Sequence, residues 1–490
     1  MPAWFAIELG LLALNLAIRE YRSWTQEKAR AASLNDFTFP RAEEGDAIAL
    51  VYGTVRIDSP QVIYFRLDTA EELPGGGGLG LAGYAYPFHM RLLLGRTNAQ
   101  VTMADPPQAQ LVGMFIGDKR VTLEGPNQTG IEGGEADSPG NATYRLDEPS
   151  GSVTEGRIHG YLAFYDGRWD LVRRGDDGDV GHIGLDDINV PYRGFITLWL
   201  SPMRVEAAQI PTIAPIVFNP CLIPGHEAVS GALGMGDVNP AAILRDLLSN
   251  PWGGVGNDTA IIDDDSFAEV AATLADEEFG MSLYVAKPNA ARDVIEEILR
   301  TIDGFLIQNM NTGKYELRLV REDYNPATLP EFTVDNVLEA PEMPSMLWAE
   351  TYNEVRVMFT EPGTGHRPST ATAQDDANIN ANGGRIRPLT VTYSGVRNPN
   401  LANRLANRDL AFVSRPIASL RMVVNRDGWN LRPGDPFRFT WSRWAGGVSI
   451  VFRVMQVDVG TLTDGRITVD AVQDRFAGVG NIWDPPIIDE

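Results

Sequence analysis

The stretch Asn239–Gly253, NPAAILRDLLSNPWG, carries the complete signal of one short helix. Asparagine caps helix amino ends, and Pro240 suits the first helical position because an N–H there would be unpaired anyway. One apolar stripe follows at helical spacing: Ile243, Leu244, Leu247 and Leu248. The Asn250-Pro251 pair stops the pattern. The stretch therefore predicts an amphipathic helix that opens a helical section of the chain.

Further helix and hairpin signals continue to about residue 345. Ser266 and Glu269 have the spacing of a capping box, which predicts a second helix with Ser266 at its N-cap. Asn289 is placed to open a third helix, which Gly304 would end. The turn signal Asn311-Thr312-Gly313 separates two apolar runs and predicts a hairpin. Residues 236–345 are therefore expected to form a small α+β domain.

Strand signals dominate on both sides of this domain. Short apolar or alternating runs, separated by Gly-rich and acidic stretches, predict a β-barrel or sandwich with long loops. The same pattern returns near residue 346, interrupted by one helix predicted over Leu401–Val413. The predicted fold class is mainly β with an α+β middle domain. The expected segments are an amino-terminal helix (1–34), a first β-barrel domain (35–235), the α+β domain (236–345), a second β-barrel domain (346–476) and a carboxyl-terminal tail (477–490).

The amino-terminal segment is apolar from Ala3 to Ile18 apart from Glu8 and Asn15. It falls short of the ~20 residues that span a bilayer, and it carries a charge. A helix here would have an apolar face too wide for water, so it needs a cover. Its own protein or a sister subunit, another protein's helix and a membrane are the alternatives. The candidate partner-binding residues are Trp4, Phe5, Ile7, Leu11, Leu12, Leu14 and Ile18.

Charge and residue usage exclude several functions. Acidic residues outnumber Lys and Arg by 65 to 41, for a formal charge of −24. Such a surface repels nucleic acid, so specific nucleic-acid binding is not expected. Cys221 is the only cysteine, which excludes an intrachain disulfide, a cysteine-cluster zinc site and an iron–sulfur cluster. With five scattered histidines, we expect no metal and no cofactor.

Catalytic patterns are incomplete wherever they occur. His226-Glu227 lacks the second histidine of a zinc-protease helix, and Ser230 lacks the orienting partner that a triad needs. Asp166 and Asp170 could be mistaken for a glycosidase pair, but spacing along a chain does not set the separation that such a pair requires. The Asp263-Asp264-Asp265 run does not follow the register of a calcium loop. We interpret His226-Glu227 as part of a turn, the Asp166–Asp170 segment as a solvated hairpin and the Asp263–Asp265 run as an acidic loop. No enzyme activity is predicted.

The order of the elements resembles the baseplate-hub or central tail-tip proteins of tailed bacteriophages, including the amino-terminal part of the lambda-type tip protein. The resemblance covers roughly residues 40–475 and lies in the order of its motifs. The pieces that carry it are VYGTVR at 51–56, the helix and NPWG at 239–253, YNEVRV at 352–357, a helix around 403–408 and the LRPGD turn at 431–435.

The resemblance implies a structural hub at the distal tip of a phage tail. In such a homotrimer each chain contributes two tube-type β-barrels, so that three chains continue a hexameric tail tube and present threefold symmetry below it. The implied partners are the distal tail or tail tube protein, the tape-measure protein and a tail fibre or spike protein. The implied location is the virion, after synthesis in the bacterial host cytoplasm. The hub would close the tube and let DNA pass during genome ejection.

Two other classes of function stay open at this point. A β-rich carbohydrate-active enzyme or lectin predicts a monomer with an aromatic-lined cleft. A membrane-active protein would work through the apolar amino-terminal segment, and a membrane contact during infection is also compatible with the tail-tip interpretation. The mass in solution separates the trimer from the monomeric enzyme.

Overall fold

The structure is a computed structural model that describes the following residues: 47–72, 84–97, 109–121, 142–146, 158–167, 192, 194–205, 210–231, 233–286, 291–309, 312–321, 324–343, 351–442, 448–461 and 464–474. The chain divides into two compact units. The first comprises Met1–Pro220 with Tyr284–Ala286, and the second Cys221–Leu283 with Lys287–Glu490. Within the described ranges, no helix has the length and apolar character needed to cross a membrane.

The first unit is built on one large, mostly antiparallel sheet. Its described strands are β1 Leu50–Arg56, β2 Gln61–Leu67, β3 Glu71–Glu72, β4 Tyr84–Arg96, β5 Gln110–Ile116, β6 Lys119–Val121, β7 Ala142–Leu146, β8 His159–Tyr165, β9 Phe195–Val205, β10 Ile213–Asn219 and β11 Leu283–Val285. The strand order is β6-β5-β10-β1-β4-β9-β8-β7. Both β2 and β3 pair with β4, so the long β4 is the centre of the sheet.

The main core of the first unit lies on one face of this sheet. Successive residues of a strand point to opposite faces, and on β9 Leu198 lies in the main core while Trp199 joins a second, smaller cluster. On β8, Phe164 and Tyr165 divide in the same way. These two strands are therefore covered on both faces, which explains their nearly continuous apolar sequence.

The second unit contains helices and three further sheets. Its described helices are α1 Glu227–Ser230, α2 Pro240–Ser249, α3 Asp264–Asp276, α4 Ala291–Ile302, α5 Asp376–Ala381 and α6 Pro399–Val413. Its described strands are β12 Gly304–Gln308, β13 Tyr315–Leu319, β14 Glu331–Phe332, β15 Glu354–Glu361, β16 Arg367–Gln374, β17 Pro388–Thr392, β18 Ser419–Val424, β19 Pro436–Trp441, β20 Val448–Asp458 and β21 Ile467–Gln473. Short 3-10 turns lie at Gly234–Gly236, Thr259–Ile261, Pro326–Thr328, Pro362–Thr364 and Arg426–Asn430.

Helix α2 begins and ends where the sequence predicts. The Asn239 side-chain oxygen accepts a hydrogen bond from the Ala241 N–H at 3.1 Å, so it caps the helix. The Asn239 amide nitrogen also donates to the carbonyl of Ala271 at 2.8 Å, in the middle of α3. One fully buried side chain thus both starts α2 and joins it to the neighbouring helix.

The capping box predicted at Ser266 is wrong. Helix α3 begins at Asp264 with Asp263 at the N-cap, one turn earlier. The Ser266 hydroxyl instead donates to the Asp263 carbonyl at 2.8 Å and accepts from the N–H of Leu317 at 3.2 Å. Since Leu317 lies on β13, this hydroxyl fastens the hairpin to α3. The hairpin itself is confirmed, with β12 and β13 paired antiparallel.

The five-stranded sheet has the order β14-β19-β20-β21-β18 and an aromatic core. Phe437 packs edge-on to Phe332, with ring centroids 5.5 Å apart, and Phe439 stacks on Trp441 at 5.8 Å. The outer edge of β18 is covered by the chain itself, because the N–H of Leu338 donates to the Val423 carbonyl at 2.8 Å. This sheet is therefore closed on that side.

The three-stranded sheet has the order β16-β15-β17, and α6 packs against β15 and β16. The residues Val355, Val357 and Phe359 alternate on the buried face of β15. All eight residues of β16 pair with β15 without a bulge. In the described part of the chain, no strand pairs with the outer side of β16.

The predicted mainly β fold is confirmed. Helix α6 is confirmed too, although it starts at Pro399, two residues before the predicted Leu401. The amino-terminal helix, the opening of the third helix at Asn289 and the tail from 477 lie outside the described residues. The proposed domain boundaries at 35, 236 and 346 remain predictions.

Candidate interaction surfaces

The residues that resembled a hydrolase site have structural roles. The Ser230 hydroxyl is fully buried, donates to the His226 carbonyl at 2.8 Å and accepts from the Ile223 N–H at 2.9 Å. A hydrogen bond from its own backbone N–H, and a second from the Gly225 N–H at 2.8 Å, lower the pKa of the Glu227 carboxyl group. These contacts build the turn before α1, as the sequence predicts. They do not form a nucleophile and a base.

Two expectations for the acidic candidates are wrong where the structure describes them. Asp166 does not lie in a solvated hairpin, because it is 1 % exposed, and Asp170 lies outside the described residues. Asp263 to Asp265 do not form an acidic loop, because Asp263 is the N-cap of α3 and the other two lie in its first turn. Asp264 pairs with the Arg245 guanidinium through both of its oxygens, at 3.0 and 3.3 Å. Among the described residues, no group of three His, Cys, Asp or Glu side chains is placed to hold a metal ion.

The predicted partner-binding residues lie outside the described residues. They are Trp4, Phe5, Ile7, Leu11, Leu12, Leu14 and Ile18, and their role remains a prediction.

The strongest described candidate for a contact surface is the segment Asn250–Gly256, which we call the Trp252 loop. The Asn250 side-chain oxygen accepts from the Trp252 N–H at 3.0 Å, forming an Asx turn. The Val255 N–H donates to the Leu247 carbonyl at 2.7 Å, so the loop folds back on the end of α2. Gly254 is required there, since an added Cβ would lie 2.1 Å from the Leu247 carbonyl oxygen.

This anchored loop presents apolar side chains to solvent. Trp252 is 70 % exposed and Val255 is 53 % exposed. The residues around them are acidic, because no Lys or Arg occurs between Arg245 and Lys287, whereas nine Asp and Glu residues do. Exposed aromatic groups on rigid backbone are typical of protein contact sites.

A second surface is the turn Gly383–Pro388, which we call the Arg385 turn. Gly383 and Gly384 adopt φ of 69° and 80°, a conformation that other residues reach only with strain. The buried Asn353 holds the turn, since its amide donates to the Arg385 carbonyl at 2.9 Å and its oxygen accepts from the Arg387 N–H at 2.6 Å. Ile386 is 49 % exposed between the two arginines.

Two polar networks stabilise the second unit. Asp237, before α2, pairs with Arg397, before α6, at 3.0 Å, and Ser282 donates to the same carboxylate at 2.5 Å. Burial raises the pKa of Asp237 and lowers that of Arg397, while each opposes the shift of the other. The pair therefore joins the segment before α2 to the segment between β17 and α6.

The second network surrounds Tyr393, which follows β17. Its hydroxyl donates to Asp409 on α6 at 2.6 Å, and burial together with this carboxylate raises the pKa of Tyr393. The phenol therefore stays protonated at any physiological pH. Arg408 pairs with Asp303 at 2.9 Å, and burial raises the pKa of Asp303. The network joins the end of α4, the end of β17 and α6.

A shallow cavity of about 500 Å³ lies beside α4. Some of its polar groups bond to one another. The Ser394 hydroxyl and N–H both donate to the Glu297 carboxylate, and Arg300 donates to the Thr392 carbonyl at 3.3 Å. The cavity is lined by Asp293, Glu296, Glu297, Arg300, Thr392 and Ser394. These hydrogen bonds fix α4 to the end of β17.

Sequence reasoning missed both exposed turns as surfaces. It used NPWG as a helix stop and as a motif of resemblance, and it assigned no role to Arg385. The available signal was a Trp between Asn-Pro and Gly-Gly in a 41-residue stretch without a basic residue.

Comparison with known proteins shows which of them resemble this chain in sequence or in fold. Residues 290–457 match the family model Phage-tail_3, described as a putative phage tail protein. No curated protein matches the chain. A chain from the virion of a native gene transfer agent particle has the same fold, with a TM-score of 0.55, 14 % identity and coverage of 100 % of this chain and 98 % of that chain.

Weaker similarities were found with two tail proteins. The tail protein from Neisseria meningitidis MC58 has a TM-score of 0.32, 14 % identity and coverage of 75 % of this chain and 97 % of that chain. The 43 kDa tail protein of prophage MuSo2 from Shewanella oneidensis has a TM-score of 0.28, 12 % identity and coverage of 87 % and 98 %. TM-scores this low carry no argument. The family match and the fold shared with the particle protein nevertheless confirm the predicted resemblance: this chain is related to phage tail proteins through residues 290–457 and folds like a component of a gene transfer agent particle.

Proposed function

We propose that this protein is a structural hub at the distal tip of a phage-type tail. The observation that carries the proposal is the match of residues 290–457 to a phage tail protein family, on a fold shared over the full chain with a virion protein. The hub is a homotrimer that adapts a hexameric tail tube to threefold tip or fibre components. It closes the tube before infection and lets DNA pass during ejection.

The charge of the chain supports this role physically. A formal charge of −24 makes the surface repel a polyanion, so DNA can slide past without being held. The residues that could have formed a hydrolase site build turns and ion pairs instead. We therefore infer a structural rather than an enzymatic component. Its partners are other copies of itself, the tail tube or distal tail protein, the tape-measure protein and a fibre or spike.

The amino-terminal segment is assigned to the tail lumen in this proposal. Three copies of residues 1–34 would bundle with each other or with the end of the tape-measure protein through Trp4, Phe5, Ile7, Leu11, Leu12, Leu14 and Ile18. Burial of a large apolar side chain contributes about 1.5–3 kcal/mol, so seven such residues supply a strong contact. Contact with a host membrane is the competing use of the same segment.

Deletion of residues 1–32 tests the assignment of this segment. We expect the shortened protein to fold and to assemble, but to fail to initiate tails or to bind the tape-measure protein. Unfolding of the first unit without any loss of partner binding would mean that the segment only packs on its own protein. Flotation of assembled tails with liposomes, dependent on these residues, would favour the membrane alternative.

Particle imaging tests the hub itself. Labelled protein should lie at the distal end of tails with threefold symmetry, and peptidoglycan, polysaccharide and peptide substrates should stay intact when the purified protein is added. A label distributed along the tail, or a monomer that hydrolyses sugars, would refute the proposal.

A further inference from the structure

Two exposed turns of the second unit carry opposite charges next to an exposed apolar side chain. The Trp252 loop offers a large aromatic side chain in acidic surroundings. The Arg385 turn offers an apolar side chain between two arginines. We propose that the Trp252 loop of one copy binds the Arg385 turn of the next copy, and that this contact closes the trimer head to tail. The inference rests on the trimer of the proposed function.

The Trp252 loop is prepared for binding in its free state. Trp252 has the largest exposed fraction among the large apolar side chains of the described residues. The loop is held by the Asn250 turn and by backbone bonds from Val255 and Asn257 to the carbonyls of Leu247 and Leu248, at 2.7 and 2.9 Å. Little conformational freedom is left to lose on binding, and a Trp on such a loop is a frequent source of binding energy.

The charge around this loop selects the occupant. Asp258, which follows the loop directly, is exposed and uses one oxygen to accept from the Ala260 N–H at 3.0 Å. Asp265 is exposed as well. Asp264 and Glu277 are paired with Arg245 and Arg321, so the exposed Asp258 beside the loop is the charge that favours a partner with a cation next to an apolar group.

The Arg385 turn meets that requirement. Residues 351–442 contain twelve Arg and seven acidic residues, a net charge of +5 in a chain whose total is −24. Arg385 is exposed and Arg387 is half-buried, on either side of Ile386. A guanidinium stacks well on an indole face, and an Ile side chain packs against its edge. The buried Asn353 keeps this turn as rigid as its counterpart.

Symmetry decides how the two surfaces combine. They are different patches of one chain, so their contact is heterologous, and a heterologous contact that closes gives a ring. A twofold dimer can also place each patch against the other, so the number of copies follows from the threefold symmetry of the proposed hub. A threefold ring satisfies both patches of all copies, which is the arrangement a hub with threefold symmetry needs.

Cysteine cross-linking tests the contact on the full chain. The native Cys221 is 4 % exposed, so it contributes little background. We place one cysteine in each surface, as Val255→Cys and Ile386→Cys. Oxidation of an equal mixture of the two single variants should give covalent dimers and no covalent trimer. The chain that carries both substitutions should give a closed covalent trimer on a non-reducing gel. Neither single variant alone should cross-link.

Trp252→Ala supplies the perturbation and Trp429→Ala its matched control. Trp429 is equally exposed, at 69 %, and lies in the same unit outside both surfaces. Trp252→Ala should abolish cross-linking of the double-cysteine chain and weaken trimer formation at least tenfold, with unchanged circular dichroism. Trp429→Ala should change neither. Added salt should weaken the association because the charges at its rim are solvent-exposed.

Several outcomes would overturn the inference. They are a trimer that forms without Val255–Ile386 cross-links, an unchanged trimer in Trp252→Ala, and a chain that stays monomeric at its highest soluble concentration. The hub proposal fails separately, since imaging of tails shows where the protein lies whichever surfaces join its copies.

Discussion

Replacement of Arg397 by Met should destabilise the second unit strongly. The side chains of Arg397 and Asp237 are 5 % and 2 % exposed, and their charged atoms lie 3.0 Å apart. Methionine fills a similar space but carries no charge. The Asp237 carboxylate then stays buried without its cation, although the Ser282 hydroxyl still donates to it. Removal of one member of a buried pair costs about 3–5 kcal/mol. With a urea slope of roughly 3 kcal/mol per molar, the midpoint should fall by more than about 1 M.

The loss of stability caused by Arg397→Met should depend on pH. Burial raises the pKa of Asp237, so the folded state favours the protonated acid relative to the unfolded chain. The stability that such a group contributes is fully present at a pH below its pKa in the unfolded chain. It is lost as the pH rises through its higher pKa in the folded protein. Without Arg397 to oppose the shift, the loss should be larger. Arg397→Met should therefore lose less stability at pH 5 than at pH 7.5.

Urea unfolding followed by tryptophan fluorescence measures these effects, with separate transitions expected for the two units. The double variant Asp237→Asn with Arg397→Met is the control, because it leaves no buried charge and should recover most of the loss. A single variant that loses less than about 1 kcal/mol would refute the reasoning from burial. So would a double variant as unstable as the single one.

Three further substitutions test the packing described above by the same urea assay. Asn353→Ala removes the bonds to both ends of the Arg385 turn and should lower stability by about 1–3 kcal/mol; retained stability would mean that the turn holds itself. Phe437→Ala opens the aromatic core of the five-stranded sheet and should cost about 3–5 kcal/mol, against a small effect for the exposed Trp429→Ala. Ser230→Ala should cost about 1–3 kcal/mol without changing any hydrolytic background; loss of an activity would reopen the enzyme alternative.

Local signals in the sequence predict the elements of this fold well. The cap at Asn239, the stop at Asn250-Pro251 and the hairpin turn before Lys314 each depend on residues close together in the chain, and the structure has all three. The predicted start of α3 is wrong because the Ser266 hydroxyl can either cap a helix or bind a more distant backbone group. Its hydroxyl bonds to Leu317, 51 residues away, and local spacing cannot reveal such a partner.

The candidate surfaces were beyond prediction for a related reason. Exposure is a property of the assembled unit, and periodicity does not distinguish a Trp that is covered from one that is left open. The Asp237–Arg397 pair joins residues 160 positions apart, so composition shows only that both types occur. The overall resemblance was predictable because it depends on the order of elements, which the sequence preserves even where single motifs are weak.

The outer edge of β16 has a consequence for expression of the protein. Its sequence RPSTATAQ contains no lysine and no bulge, and only Pro368 lacks a backbone donor. Proteins usually guard such edges against pairing with foreign strands, as residues 336–342 guard β18 here. Within the described residues no strand covers this edge. An excess of this chain over its assembly partners would therefore present an eight-residue template for misassembly, which balanced synthesis of the tail components would avoid.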